Sequence, residues 1–116
     1  MSDTVLYGIP NCDTVKKARK WLDANGVPYR FHDFRADGIE AGHVEQWIGA
    51  VGWDVVINKR STSWKQLDAD ARDRMDASSA VSAAIASPTL IKRPVLEHGG
   101  GVHLGFSANG YADIFS

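Results

Sequence analysis

The apolar pattern begins with Val5-Leu6-Tyr7-Gly8-Ile9, a short unbroken run that stops at Pro10, a residue unable to donate to a sheet ladder. A buried strand is expected there. From Asn11-Cys12-Asp13-Thr14 onward the period changes. Val15, Ala18, Trp21 and Leu22 fall on one helical face, while Lys16, Lys17, Arg19, Lys20 and Asp23 fall elsewhere. Asn25-Gly26 supplies the stop. The stretch from Val27 to Phe34 then alternates, with Tyr29, Phe31 and Asp33 against Arg30, His32 and Phe34. A strand, a helix and a strand joined by short turns leave room for a single crossover, which predicts two parallel strands and an α/β fold.

The middle of the chain keeps helical spacing in three sets. These are Val44, Trp47, Ile48 and Val51; Leu67, Ala71 and Met75; and Ala77, Ala80, Val81, Ala84 and Ile85. The spacing predicts about three or four short helices, with the polar stretch from Asn58 to Trp64 as a loop between them. Further on, Thr89-Leu90-Ile91 runs into Lys92-Arg93-Pro94, then Val95-Leu96, a glycine turn at Gly99 to Gly101, and Val102-His103-Leu104-Gly105-Phe106. This reads as a β-hairpin. Ser107 is placed to cap a last helix carrying Tyr111, Ile114 and Phe115.

Composition narrows the class. At 116 residues the chain is expected to form one domain, 1–116, with a helical insertion at about 39–87. It is 44% hydrophobic and 23% charged, the balance of an ordinary globular protein. The net charge of −1 and the absence of any Lys- and Arg-rich stretch argue against nucleic acid as a partner. No apolar run approaches the roughly 20 residues that span a bilayer, and Met1-Ser2-Asp3-Thr4 does not open a secretory leader. A cytoplasmic monomer is expected, with no membrane partner. The single cysteine excludes an internal disulfide and fits a reducing compartment.

That cysteine, Cys12, is the first candidate for chemistry. A lone cysteine is more often an inert buried residue than a nucleophile. Its position changes the balance, because it lies where a strand ends and a helix begins. Unpaired backbone N–H groups and the helix dipole there favour an anion, and so favour the nucleophilic thiolate. The same amides bind oxyanions, and ligands of parallel α/β sheets lie beyond the carboxyl ends of strands. Asn11 and Thr14 are placed to cap the helix or orient the sulfur, with capping the plainer role. Arg60 and Arg93 are cations in loops. Arg93 stands out because it precedes Pro94 between apolar segments, where a cis bond has a structural use and a guanidinium offers a fork to a carboxylate or oxyanion. His98-Gly99-Gly100-Gly101 resembles a lipase oxyanion loop, but no Gly-x-Ser-x-Gly accompanies it, so the hairpin turn is the better reading. The four histidines follow no metal spacing, and no metal is expected. Trp21, Trp47, Trp53 and Trp64 are read as packing residues.

Four stretches together carry a resemblance. They are the segment Leu6-Tyr7-Gly8-Ile9-Pro10-Asn11-Cys12-Asp13-Thr14-Val15-Lys16-Lys17-Ala18, then Asn58-Lys59-Arg60-Ser61-Thr62, then Leu90-Ile91-Lys92-Arg93-Pro94, and finally Leu104-Gly105-Phe106-Ser107. From end to end the chain resembles the arsenate reductase (ArsC) and Spx family, and most closely its YffB-like branch. The resemblance implies a thioredoxin-like fold (β-α-β, helical insertion, β-β-α) with Cys12 as nucleophile, Arg60 and Arg93 steadying the thiolate or a bound anion, and Pro94 in the cis form. It implies glutathione as co-substrate, with glutaredoxin as a further partner, and a disulfide or small oxyanion as substrate. Asn11, Asp13, Thr14 and Pro94 are then the residues expected to contact glutathione or the oxyanion. Two departures qualify this. Gly8 stands where arsenate reductases of the family carry histidine, and Gly105-Phe106 stands near the place of a third arginine, which leaves an arsenate cradle incomplete. Spx-type regulators, which bind RNA polymerase, carry a second cysteine at the position of Val15, so this chain has no internal redox switch. The reductase reading leads, with an arsenate reductase proper and a non-catalytic Spx-like polymerase-binding regulator as its alternatives.

Overall fold

The computed structural model describes residues 4–116. Met1 to Asp3, on which much of the leaderless reading rests, lie outside the described residues. The chain divides into two compact units. One comprises the chain up to Asp37 together with Arg93–Ser116, and the other comprises Gly38–Lys92.

The first unit is built on a four-stranded sheet. In chain order its elements are β1 (Val5–Gly8), α1 (Asp13–Ala24), β2 (Arg30–Asp33), β3 (Val95–His98), β4 (Gly101–Leu104) and a C-terminal helix (Ala108–Ile114). The strands lie in the order β2-β1-β3-β4. β1 runs parallel to β2, with Gly8 beside Asp33, and antiparallel to β3, with Tyr7 beside Val95. This is the thioredoxin-like arrangement that the crossover pattern and the resemblance lead one to expect. Leu6 of β1 and Leu96 of β3 are register partners and so face the same side. There they meet Ala18 and Leu22 of α1 and Tyr111 of the C-terminal helix in one buried cluster. Trp21, Phe31 and Phe106 pack around it.

Local chemistry sets the ends of these elements. β2 is shorter than the alternation from Val27 to Phe34 suggested, because Val27 N–H still serves the end of α1, bonding Leu22 O at 2.9 Å. The hairpin turn uses Gly99 and Gly100, both at positive φ (56° and 81°), while Gly101 is already in β4 opposite His98. The turn is therefore of two glycines, not three. Ser107 caps the last helix by accepting from Gly110 N–H at 3.0 Å. The Arg93–Pro94 bond is cis.

The second unit is helical, with α2 (Ala41–Val51), α3 (Trp53–Val56), α4 (Thr62–Lys65), α5 (Ala69–Asp73), α6 (Ala77–Ala86) and a 3₁₀ turn at Pro88–Leu90. The C-terminal helix is α7. Val44, Trp47 and Ile48 of α2 and Ala80 and Ala84 of α6 form the buried stripes. Two expectations fail here. Leu67 and Met75 lie outside α5, which is confined to five residues between its N-cap Asp68 and the start of α6 at Asp76. The stretch from Asn58 to Trp64 is not all loop, because Ser61 accepts from Trp64 N–H at 3.1 Å and starts α4. Among the described residues the helices of this unit number five, since the periodicity did not show α3 or α4. No helix of the described residues is long and apolar enough to cross a membrane.

Candidate functional site

The turn that carries Cys12 is set by its sequence. Cys12 N–H reaches back to Ile9 O at 3.3 Å, closing a four-residue turn with Pro10 at its second position, where the fixed φ of proline suits a β-turn. Cys12 is itself the N-cap of α1, in an extended conformation (φ −89°, ψ 127°), and its carbonyl accepts the first helical bond, from Lys16 N–H at 2.9 Å. The capping role assigned to Asn11 or Thr14 is thus corrected: Cys12 occupies the cap, and its side chain makes no capping hydrogen bond. The thiol is free and half-buried, at the end of the helix where backbone N–H groups lack intrahelical partners. Asn11 and Asp13 are exposed on either side and Thr14 is half-buried.

The register brings a second candidate to the same end of the sheet. Tyr7 pairs with Val95 in antiparallel sense, so one step further along β1 lies Gly8 and one step back along β3 lies Pro94. The turn holding Cys12 and the cis Arg93–Pro94 step therefore emerge from neighbouring strands. Arg93 is half-buried. No hydrogen bond or ion pair to another described residue engages its guanidinium. Pro94 O accepts from Gly105 N–H at 2.9 Å, and Gly105 has φ 78°. Phe106 turns into the core, edge-on to Tyr111 with ring centroids 4.7 Å apart. The segment where a third arginine was missed is occupied by a turn glycine and a core ring.

Arg60 belongs to the second unit. Its N–H donates to Asn58 Oδ1 at 3.0 Å, and Ser61 N–H and Oγ–H both donate to Asn58 O, at 3.0 and 2.7 Å. This fixes the backbone of the turn and leaves the Arg60 side chain exposed. Beside it, Lys59 Nζ sits over the rings of Trp53 and Trp64, 5.0 and 5.9 Å from their centroids.

The sequence reading did not single out Tyr7. It donates to Glu97 Oε1 at 2.8 Å and packs on His32 with centroids 4.8 Å apart. Burial, and then the hydrogen bond to Glu97, push its ionisation well above the usual tyrosine value. No motif marks that pair, because strand neighbours are set by register and not by sequence distance.

The ArsC family model matches residues 7–114. The chain belongs to the ArsC family. This ArsC-family chain is 42% identical over 111 residues to an uncharacterized protein of Haemophilus influenzae, covering 96% of this chain and 97% of that one. Among solved structures, the YffB protein superposes with a TM-score of 0.93 at 43% identity, covering 97% and 99% of the two chains. An arsenate reductase (ArsC) related protein from Brucella melitensis gives a TM-score of 0.80 at 40% identity, covering 100% and 96%. The family also reaches regulators: the global transcriptional regulator Spx of Lactiplantibacillus plantarum is 23% identical over 94 residues, 79% of this chain and 70% of that one.

Proposed function

We propose that this chain is a cytoplasmic, glutathione-dependent thiol reductase whose nucleophile is the Cys12 thiolate. The observation that carries the reading is the placement of the only cysteine at the N-cap of α1, its sulfur not used in capping, at the same sheet end as an arginine whose guanidinium has no hydrogen-bond or ion-pair partner among the described residues. The Cys12 thiolate attacks one sulfur of a disulfide. The S–S bond breaks, the far sulfur leaves as a thiolate, and Cys12 is left in a mixed disulfide. Val15 supplies no resolving thiol, so a glutathione thiolate attacks the substrate sulfur of the mixed disulfide, releasing the Cys12 thiolate and forming a substrate–glutathione disulfide, which a second glutathione reduces to the free thiol and glutathione disulfide. Arg93 steadies the anionic sulfur or a carboxylate of glutathione. Arg60 has the same role on the strength of its family motif alone. Asn11, Asp13, Thr14 and Pro94 frame the glutathione contact, with glutaredoxin as a further donor of electrons.

The test is glutathione-dependent reduction of 2-hydroxyethyl disulfide, run beside arsenate. Cys12→Ser should abolish turnover, and Arg93→Ala or Arg60→Ala should lower it about 10-fold or more while leaving the fold intact. Full activity in the serine variant overturns the reading. Arsenate turnover above disulfide turnover would move the substrate assignment to an arsenate reductase proper. The Spx relatives support a second reading, a regulator that docks on a large partner. Its signature is capture of RNA polymerase that survives Cys12→Ser, without disulfide turnover.

A further inference from the structure

Gly8 ends β1 in a backbone conformation that does not require glycine, since it is absent from the glycines at positive φ. What requires glycine there is space. A Cβ at Gly8 would lie 2.7 Å from Cγ2, 3.3 Å from Cγ1 and 3.6 Å from Cβ of Val15. Val15 is fully buried in the first turn of α1, and a β-branched side chain in a helix is held to essentially one rotamer. It cannot swing aside. Carbon atoms settle at roughly 3.5–4.0 Å, so a side chain at position 8 must drive the first turn of α1 away from the sheet by about 1 Å.

The two candidate groups respond differently to that shift. Cys12 is the N-cap of the displaced turn and moves with it. Arg93 and Pro94 do not, because β3 is paired to β1 through Leu6↔Leu96 and Tyr7↔Val95. We propose that Gly8 is a positioning residue: by carrying no side chain it lets Val15 seat α1 at the depth that sets Cys12 against Arg93. This rests on the reading of Cys12 as nucleophile and Arg93 as its cationic neighbour. A misplacement of about 1 Å can cost about 10²-fold in rate.

The test uses the folded full chain and two probes of one reaction, neutral iodoacetamide and anionic iodoacetate. In both, the Cys12 sulfur forms a bond to carbon and iodide leaves. A cation beside the sulfur favours the anionic probe, so the ratio of the iodoacetate to the iodoacetamide rate constant reports the distance between Cys12 and Arg93. Arg93→Ala sets the ratio without the cation. Gly8→Ala is expected to lower the ratio about 3- to 10-fold toward that value, with the iodoacetamide rate within about 2-fold of the parent, because the helix amides travel with the sulfur. Adding Val15→Ala to Gly8→Ala should restore the ratio to within about 2-fold of the parent. Val15→Ile loads the same contact from the helix side and should lower the ratio even where Gly8→Ala fails to fold. A purely structural glycine would lower the melting temperature and leave the ratio alone. An unchanged ratio in Gly8→Ala and Val15→Ile, with a lowered one in Arg93→Ala, overturns the positioning role while the thiol reading stands. A parental ratio in Arg93→Ala overturns the reading of Arg93 and the inference with it.

Discussion

Tyr111 is 2% exposed, and its hydroxyl is buried with no hydrogen-bond partner among the described residues. Burial raises its ionisation well above the ordinary tyrosine value. An unpaired buried hydroxyl costs roughly 1–3 kcal/mol, so Tyr111→Phe should keep the fold and raise stability by about 1 kcal/mol in urea unfolding. A loss of that size would instead reveal a partner for the hydroxyl. At this scale the sequence showed Cys12, because it is alone, and Arg93, because a proline follows it. It did not show why position 8 is glycine. A strand glycine that owes its place to a neighbouring valine leaves no local mark, and the cost of a Cβ there is visible only when β1 and α1 are set side by side. The same contact bears on the departure noted at this position: a Cβ there would lie 2.7 Å from Cγ2 of Val15, so a side chain at position 8 meets this valine at its first atom.

Element ends give sharper tests. The hairpin turn needs positive φ at both Gly99 and Gly100, the requirement of a type I′ turn. Gly99→Asn should therefore be tolerated, whereas Gly99→Val should cost about 1–2 kcal/mol or more in thermal unfolding. Ser107→Ala removes the cap of α7 and should cost about 1 kcal/mol. Asp76 starts α6 with a reciprocal cap, accepting from Ser79 N–H at 2.8 Å while Ser79 Oγ accepts from Asp76 N–H at 2.9 Å. The backbone N–H of Ser79 is the main cause that holds its carboxyl below the ordinary value of 3.8. A lowered folded value contributes stability that is present above that ordinary value and lost as pH falls through the folded one. The acid limb of the stability curve should accordingly flatten in Asp76→Asn. This cap also explains the failed helix at Leu67, Ala71 and Met75. Their spacing is helical, but Asp76 begins a new helix one residue after Met75, and α5 has no buried residue to extend it.

At the scale of the whole molecule, the alkaline limb of stability should come in part from two tyrosines. Tyr7 and Tyr111 both have folded values raised above the ordinary 10.0. A raised value contributes stability that is present below the unfolded value and lost as pH rises toward the folded one, so the urea midpoint should fall between about pH 9 and about pH 11. That fall should shrink in Tyr7→Phe and Tyr111→Phe. The α/β class, the parallel β1–β2 pair, the hairpin and the capped last helix were all legible in the sequence. Each rests on a period or a turn residue acting over a few positions, and the one cysteine was evident from composition. The tertiary structure decided what depends on residues far apart in the chain. It set β3 against β1 with Pro94 one step beyond the partner of Tyr7, moved the cap of α1 onto Cys12, and left the Tyr111 hydroxyl in an apolar cluster without a hydrogen-bond partner among the described residues. It also made Gly8 and Val15 one contact. Such facts follow from strand register and from the depth at which a helix packs, which are fixed by the sum of contacts across the sheet and not by any local pattern.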